Sequence, residues 1–284
     1  VKFFIKILVG ILLPLTSFAE CSKTFSKISP QRRNQVHQEI TTDLRDGEIV
    51  EAHSARKNGN THDLWWVTIQ NSQTGRTQKA ILKPREWGDS DGWARSPMEL
   101  VAYQLNRKLG MDYVPPTVYR RKLKLNSKLI HETPVIHWVQ NAQILYDTPE
   151  SQWGISKEAM QSDHRILCVL LHNSDGHYKN LLLGEHWVEG ISHPTFIDFG
   201  ASLRPGTSVT MRKYPATGNS EPVSKIRAST LVALEKLQKE DLKEINEFVS
   251  EQEIDGILER KEGIVAYFKK LIAENGRNQV VLEN

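Results

Sequence analysis

Three short runs of strand-forming residues, separated by turn signals, constrain the first half of this chain more than any other feature. Ile49 to Ala55 reads as one strand, Leu64 to Gln70 (LWWVTIQ) as a second and Gln78 to Lys83 (QKAILK) as a third. Asn58-Gly59-Asn60 and Thr74-Gly75 lie between them. Such residues reverse a chain because they tolerate backbone angles that other residues avoid. The simplest arrangement is three consecutive antiparallel strands. Next, Met98, Val101, Ala102, Leu105 and Leu109 recur at helical spacing, and Gly110 supplies a stop. Val114-Pro115-Pro116-Thr117 reads as an extended connection, and 118–120 and 128–139 add strand-like material.

Ahead of the strands, Ser29-Pro30 can open a helix that runs to about Thr42. Beyond residue 140 the pattern turns helical. Ser156 can cap one helix, and another is expected from Asp163 to His172. Leu181 to Leu183 and Thr195 to Ile197 read as two short strands. A helix is expected from Thr230 to Val249, and Ser250-Glu251-Gln252-Glu253 is a capping box that opens the next. The tail after Glu274 is expected to fray. The expectation is an α+β, two-lobed chain, with a β-rich N-lobe over 20–140 and a helical C-lobe over 141–284.

Composition narrows the class. Hydrophobic residues make up 39% and charged residues 25%, which argues against a disordered chain and against many membrane spans. The first 19 residues stand apart. Lys2 and Lys6 flank a short apolar run, and Ser17-Phe18-Ala19 places small residues at a cleavage site. This is the pattern of a secretory signal peptide, so export to the periplasm or beyond the cell is expected, with no stable membrane insertion after cleavage. Val1 reads as a non-ATG start codon written literally, a bacterial habit. Glu20 before Cys21 breaks a lipoprotein signal. The formal net charge is only +3, so no basic field marks nucleic acid as a partner. Trp65, Trp66 and Trp87 therefore read as packing residues rather than a base-stacking stripe. Cys168 lies in the apolar run ILCVLL and reads as a small buried hydrophobe, with pairing to Cys21 left open.

The candidate chemistry gathers in the second half. Asp175 stands in NSDGHYKN, between an apolar helix and a short strand, and Asn180 follows five residues later. Asp198 stands in FIDFG, where a strand end would project its carboxylate and Gly200 would let the chain turn. Phosphoryl transfer uses such a set: hard oxygen ligands for a divalent cation, and an acid that orients the attacking hydroxyl. Asp198 and Asn180 suit Mg2+ or Mn2+, and Asp175 suits the acceptor proton. A cation must meet the phosphates from the other side. Lys83 ends the third strand, and Glu99 follows 16 residues later in the amphipathic helix. A strand lysine held by a helix glutamate fixes an ammonium over phosphates. The stretch 53–59, with Ser54 and Ala55, is the nearest candidate for a phosphate-covering loop. His177 reads as a side chain that packs under the catalytic loop and donates a hydrogen bond. Lys79, Lys83, Arg85 and Arg95 would make one mouth of the cleft positive.

The segments AILKP, PMELVAYQLNRKLGMDYVPPT, NSDGHYKN and FIDFGAS resemble a group of atypical kinases. The group comprises type II phosphatidylinositol 4-kinases, HipA-like kinases and the secretory-pathway casein kinases. The match spans roughly 80–203 and is best over Glu99 to Thr117. The resemblance implies a protein-kinase-like fold and ATP-dependent transfer. It also implies Lys83 on phosphate, Glu99 in support, Asp175 as catalytic acid, and Asn180 and Asp198 on metal. Gly176 departs from the arginine many relatives carry, and no Ala-Pro-Glu segment follows Asp198. The expected partners are ATP and a hydroxyl acceptor, a protein ahead of a lipid. A lipid or small-molecule kinase, a nucleotide-binding pseudokinase scaffold and an AMP transferase stay open. An ATP-using domain behind an export signal also needs a source of ATP outside the cytoplasm.

Overall fold

The computed structural model describes residues 28–54, 64–84, 95–125, 128–188, 191–203, 209–212 and 221–283. The signal-like segment, Cys21, Ala55, Arg85 and Trp87 lie outside these described residues.

The chain begins with helix α1, Pro30–Asp46. Ser29 caps it by accepting from the Arg32 amide, and proline occupies the first turn, where its missing N–H costs nothing. Val36, Ile40 and Leu44, each one turn apart, are buried on its inner face. The helix is a full turn longer than its sequence suggests, because Asp43 and Leu44 are tertiary contacts rather than frayed ends.

Strands β1 (Glu48–Ser54), β2 (Trp65–Gln70) and β3 (Thr77–Leu82) follow as the expected antiparallel meander. Helix α2, Met98–Lys108, crosses over, and Gly110 ends its run with a left-handed φ of 67° that a β-carbon would oppose. Strands β4 (Thr117–Leu125) and β5 (Lys128–His137) complete a five-stranded sheet in the order β1-β2-β3-β5-β4. Val67, Ile69, Ala80, Leu82 and Val135 alternate onto one face of this sheet and pack with α1 in a compact core.

The second half begins with β6, Gln140–Ile144, which pairs with β7 (Leu181–Glu185), and β8 (Ser192–Phe196) completes this three-stranded sheet. Helix α3 is one continuous helix, Lys157–Leu170, capped by Ser156, where the sequence reading expects two. It continues through the polar stretch in its middle because Ser162, Asp163, His164 and Arg165 are buried along with the apolar residues on either side. The helix expected over 230–249 is divided. Helix α4 is Ala228–Lys236, Leu237 turns extended, and Lys239–Ile245 is a 3-10 turn. The Asp241 carboxylate accepts from the Gln238 amide there, and this local cap starts a new segment. Helix α5, Glu251–Asn275, opens on the expected capping box.

The tail does not fray. A short helix α6, Arg277–Val280, leads into strand β10, Val281–Leu282, which pairs in parallel with β9, Ile226–Arg227. Val280 and Val281 are buried, and two apolar residues with backbone partners suffice to hold a terminus. Among the described residues no helix is long and apolar enough to cross a membrane.

Helix α1 is bolted to the sheet through one carboxylate. Asp43, with no exposed surface, accepts from Asn71 Nδ2 (3.0 Å), Thr74 Oγ1 (3.1 Å), Arg76 Nε (2.7 Å) and Nη2 (3.1 Å), and Gln78 Nε2 (3.0 Å). Burial pushes its carboxyl up, but the bonds from Arg76, Gln78 and Thr74 outweigh that and hold it below the usual range. A depressed folded-state pKa adds stability above the unfolded value of about 3.9, and that stability is lost as pH falls through the folded pKa. Asp43→Ala is expected to cost about 3 kcal/mol at neutral pH. Asp43→Asn should flatten the loss of stability below about pH 4. Urea titrations of both variants across the acid range check this, and midpoints equal to wild type would count against the bolt.

Candidate active site

Lys83 leaves β3 with its amide directed at the Pro134 carbonyl of β5 (3.4 Å). Its ammonium donates to Glu99 Oε1 at 2.5 Å and to Asp198 Oδ1 at 2.8 Å. Three elements distant in sequence, β3, α2 and the loop after β8, therefore meet at one nitrogen. Glu99 lies in the first turn of α2 and is only 3% exposed. Its carboxylate also accepts from the Phe199 amide, so it grips the residue that follows Asp198. Asp198 is 47% exposed at its side chain. The three charges thus grade from a buried carboxylate through a half-buried ammonium to an open carboxylate.

Electrostatics favour the Lys83 ammonium and work against the charge on buried Glu99. Burial disfavours the Lys83 ammonium, but the Asp198 and Glu99 carboxylates outweigh burial and raise its pKa. Burial pushes the Glu99 carboxyl up, Lys83 opposes this, and the Asp198 charge adds to the upward push. Two carboxylates so close tolerate one another only with the ammonium between them.

Local backbone geometry places the remaining acids. After α3, His172 takes a left-handed φ of 48°, and the Asn173 amide returns to the Cys168 carbonyl (2.8 Å). Buried Asn173 then accepts from the Asp175 amide (3.0 Å), an Asx turn that presents Asp175. Asn180 Nδ2 donates to the Asp175 carbonyl (2.9 Å), which leaves its amide oxygen as the end offered to a cation. The Asn180 carbonyl accepts from the Ile197 amide (3.0 Å), and this bond joins the Asp175 loop to the Asp198 loop. The turn expected at Gly200 begins at Asp198 itself, whose φ is 66°. A non-glycine residue pays for that conformation, and here the Lys83 contact and the Phe199 amide bond to Glu99 oppose its relaxation.

Other expectations fare differently. Ser54 ends β1 and stands in register with Trp65, itself opposite Leu82, so it lies at the Lys83 end of the sheet but two strands away. Ala55 and the loop beyond it fall outside the described residues. Arg95 does not add charge to the cleft. It donates to Glu253 and to the Phe248 carbonyl, and its amide donates to the Gly200 carbonyl, so it ties α5 to the Asp198 loop. His177 accepts from the Lys179 amide at Nδ1 (3.2 Å). Cys168 is fully buried, with Sγ 3.4 Å from His164 Nε2.

Trp66 does not pack into the core. It is 38% exposed and its ring lies 6.0 Å from that of Trp138, which is 36% exposed. Trp66 pairs with Ile81, and Lys83 follows two residues on, so Trp66, Ile81 and Lys83 share the sheet face opposite the core. Trp138, whose amide donates to the Lys79 carbonyl, was not singled out from the sequence. The period-2 alternation of β3 and β5 is the signal that places it on this face.

Chemically, the arrangement offers a fixed ammonium, an exposed carboxylate and an amide oxygen as hard ligands, and a second exposed carboxylate at Asp175. Among the described residues no group of three or more His, Cys, Asp or Glu side chains forms a metal cage. One carboxylate and one amide oxygen fit the habit of Mg2+, which keeps waters and takes substrate phosphate oxygens.

No family model matches the chain, and no curated protein matches it in sequence. Solved structures do match in three dimensions. One is the structure of hydra Fam20 with sugar, with a TM-score of 0.57 and 13% identity over 87% of this chain and 92% of that chain. Another is the Golgi casein kinase, with a TM-score of 0.59 and 14% identity over 88% of this chain and 79% of that one. The chain has the α+β, two-lobed protein-kinase-like fold of these structures. At such identity the likeness bears on the fold alone.

The cluster makes a prediction independent of any reaction. Lys83→Met leaves the buried Glu99 carboxylate without its cation. Its folded-state pKa then rises further, so the variant is penalised increasingly as pH climbs above the unfolded value of about 4.3. The expected loss is about 3 kcal/mol at neutral pH and much less near pH 4. Urea unfolding at both values reads the difference, and a loss that does not change with pH would contradict the pairing.

Proposed function

We propose that this chain is an ATP-dependent phosphotransferase that moves the γ-phosphate to a hydroxyl on a protein. The observation that carries the proposal is Lys83 bonded at once to Glu99 and Asp198, on a protein-kinase-like fold. Glu99 holds the Lys83 ammonium, whose other N–H groups bind the α- and β-phosphates. Asp198 and the Asn180 amide oxygen would hold a divalent cation, with Asp198 giving up its Lys83 contact. That Mg2+ or Mn2+ supplies charge neutralisation on the phosphate oxygens. Trp66 and Trp138, on the Lys83 face of the sheet, offer aromatic surface against which the nucleobase stacks.

Asp175 acts on the acceptor side. Its carboxylate accepts the hydrogen bond of the acceptor hydroxyl and takes the proton as the O–H bond breaks. The acceptor oxygen bonds to the γ-phosphorus, the bond to the bridging β,γ-oxygen breaks, and ADP leaves with that electron pair. A second reading, a sugar or other small-molecule hydroxyl as acceptor, draws on the sugar named with the hydra structure. Export through residues 1–19 belongs to the same proposal and accords with the Golgi setting of the second neighbour. The mass of the protein recovered from an expressing cell reads it: removal of the segment leaves Glu20 first, and a mass that retains Val1 or an initiator Met refutes it.

Transfer from γ-labelled and α-labelled ATP into a lysate tests the reaction. Label from the γ position alone, in protein and dependent on added Mg2+ or Mn2+, is the expected outcome. Asp198→Ala should abolish it, and Trp66→Ala should raise the KM for ATP about tenfold. Label from the α position would replace phosphate transfer with AMP transfer. Label in a sugar fraction would select the second reading. Equal turnover in wild type and Asp198→Ala would refute both.

A further inference from the structure

His177 stands midway between Asp175 and Asn180, and its backbone is held on both sides. Its amide donates to the Asp175 carbonyl (2.8 Å), and its carbonyl accepts from the Asn180 amide (2.9 Å). The ring therefore has a fixed origin. Its Nδ1 accepts a hydrogen bond from the Lys179 amide (3.2 Å). A ring nitrogen that accepts carries no proton, so the neutral imidazole must carry its proton on Nε2. Nε2 in turn lies 3.8 Å from Asp175 Oδ1. The backbone amide of Lys179 thus selects the tautomer whose N–H faces the carboxylate.

We infer that His177 is a positioning residue that donates from Nε2 to Asp175 Oδ1 and so orients the carboxylate toward the acceptor hydroxyl. The inference rests on the phosphotransfer reading of Asp175. The separation of 3.8 Å is longer than a formed hydrogen bond. Both side chains reach solvent, at 33% and 43% exposure, so a change of rotamer closes the gap when an acceptor arrives. The same geometry excludes His177 as the proton acceptor. Its only unprotonated nitrogen is already occupied by the Lys179 amide. Tyr178, with its ring 6.4 Å away, and the Lys179 side chain over that ring flank the imidazole on the outer side.

Three variants of the full chain separate a donor from a spacer. His177→Gln can place an amide N–H near the former Nε2 position. His177→Asn keeps an acceptor for the Lys179 amide but is too short to reach Asp175. His177→Ala keeps neither. The expected result is near-wild-type kcat for Gln and a fall of about tenfold for both Asn and Ala, with the KM for ATP unchanged. Asn matching wild type would show a purely structural cap. Gln as low as Ala would show that more than donation is needed, and either result overturns the inference. Nitrogen-resolved NMR of the His177 ring provides a readout without turnover: a proton on Nε2 is expected, and a proton on Nδ1 rejects the inference. If wild type shows no Asp198-dependent transfer, the phosphotransfer reading fails while the ring spectrum still decides the tautomer.

Discussion

A single ammonium between two carboxylates organises this protein. Lys83 reaches Glu99 and Asp198 together, and each of the three groups belongs to a different element. Desolvating one charge is costly, and only close opposite charges offset the cost. The cluster therefore forms when β3, α2 and the loop after β8 are all in place, and not otherwise. Glu99 extends the dependence by accepting from the Phe199 amide, so the same carboxylate controls the backbone beside Asp198. Arg95 repeats the pattern on the other flank, with its amide on Gly200 and its guanidinium on α5.

That cluster needs α2 to sit at one height, and α1 braces it there. His37 contacts the Tyr103 hydroxyl at Nδ1 (3.0 Å) and Asp112 at Nε2 (3.0 Å). Tyr103 is one turn along α2 from Glu99. Asp112 also accepts from Arg33 of α1 and from Arg107 of α2. Burial pushes its carboxyl up, and the His37 bond and the arginines outweigh that. The Asp112 carbonyl accepts from His186 Nε2 (2.9 Å), whose ring is held neutral because burial pushes its pKa down to about 3. Through Asp43 the far end of α1 holds the turn between β2 and β3, so one helix joins the sheet, α2 and the second sheet.

Much of this was legible in the linear pattern. The meander of β1 to β3 followed from alternation and turn residues. Helix α2 followed from the spacing of Met98, Val101, Ala102, Leu105 and Leu109, and the box at Ser250 marked the start of α5. The pairing of Lys83 with Glu99 was expected from a strand end followed by an amphipathic helix. Other features were hidden for physical reasons. The polar stretch in the middle of α3 hid its continuity, because the partners that bury Asp163 and Arg165 come from distant parts of the chain. The break at Leu237 rests on one local cap inside an otherwise helical pattern. The tail pairs with β9 through Val281 and Leu282, and a contact spanning more than fifty residues leaves no periodic trace.

The sequence by itself determined the elements and the inventory of chemical groups, because helical and strand periodicity and capping are local properties. It also determined that Asp175, Asn180 and Asp198 fall in loops behind packed elements. Only the tertiary structure decided how those groups share partners. The ammonium of Lys83 has several N–H donors and could meet one carboxylate or two. It meets two because β3 and α2 converge on the loop where Asp198 is held at a φ of 66°. Likewise, the sequence does not say which ring nitrogen of a histidine carries the proton. The Lys179 amide selects the tautomer of His177, and that depends on a distance that no spacing of residues reports.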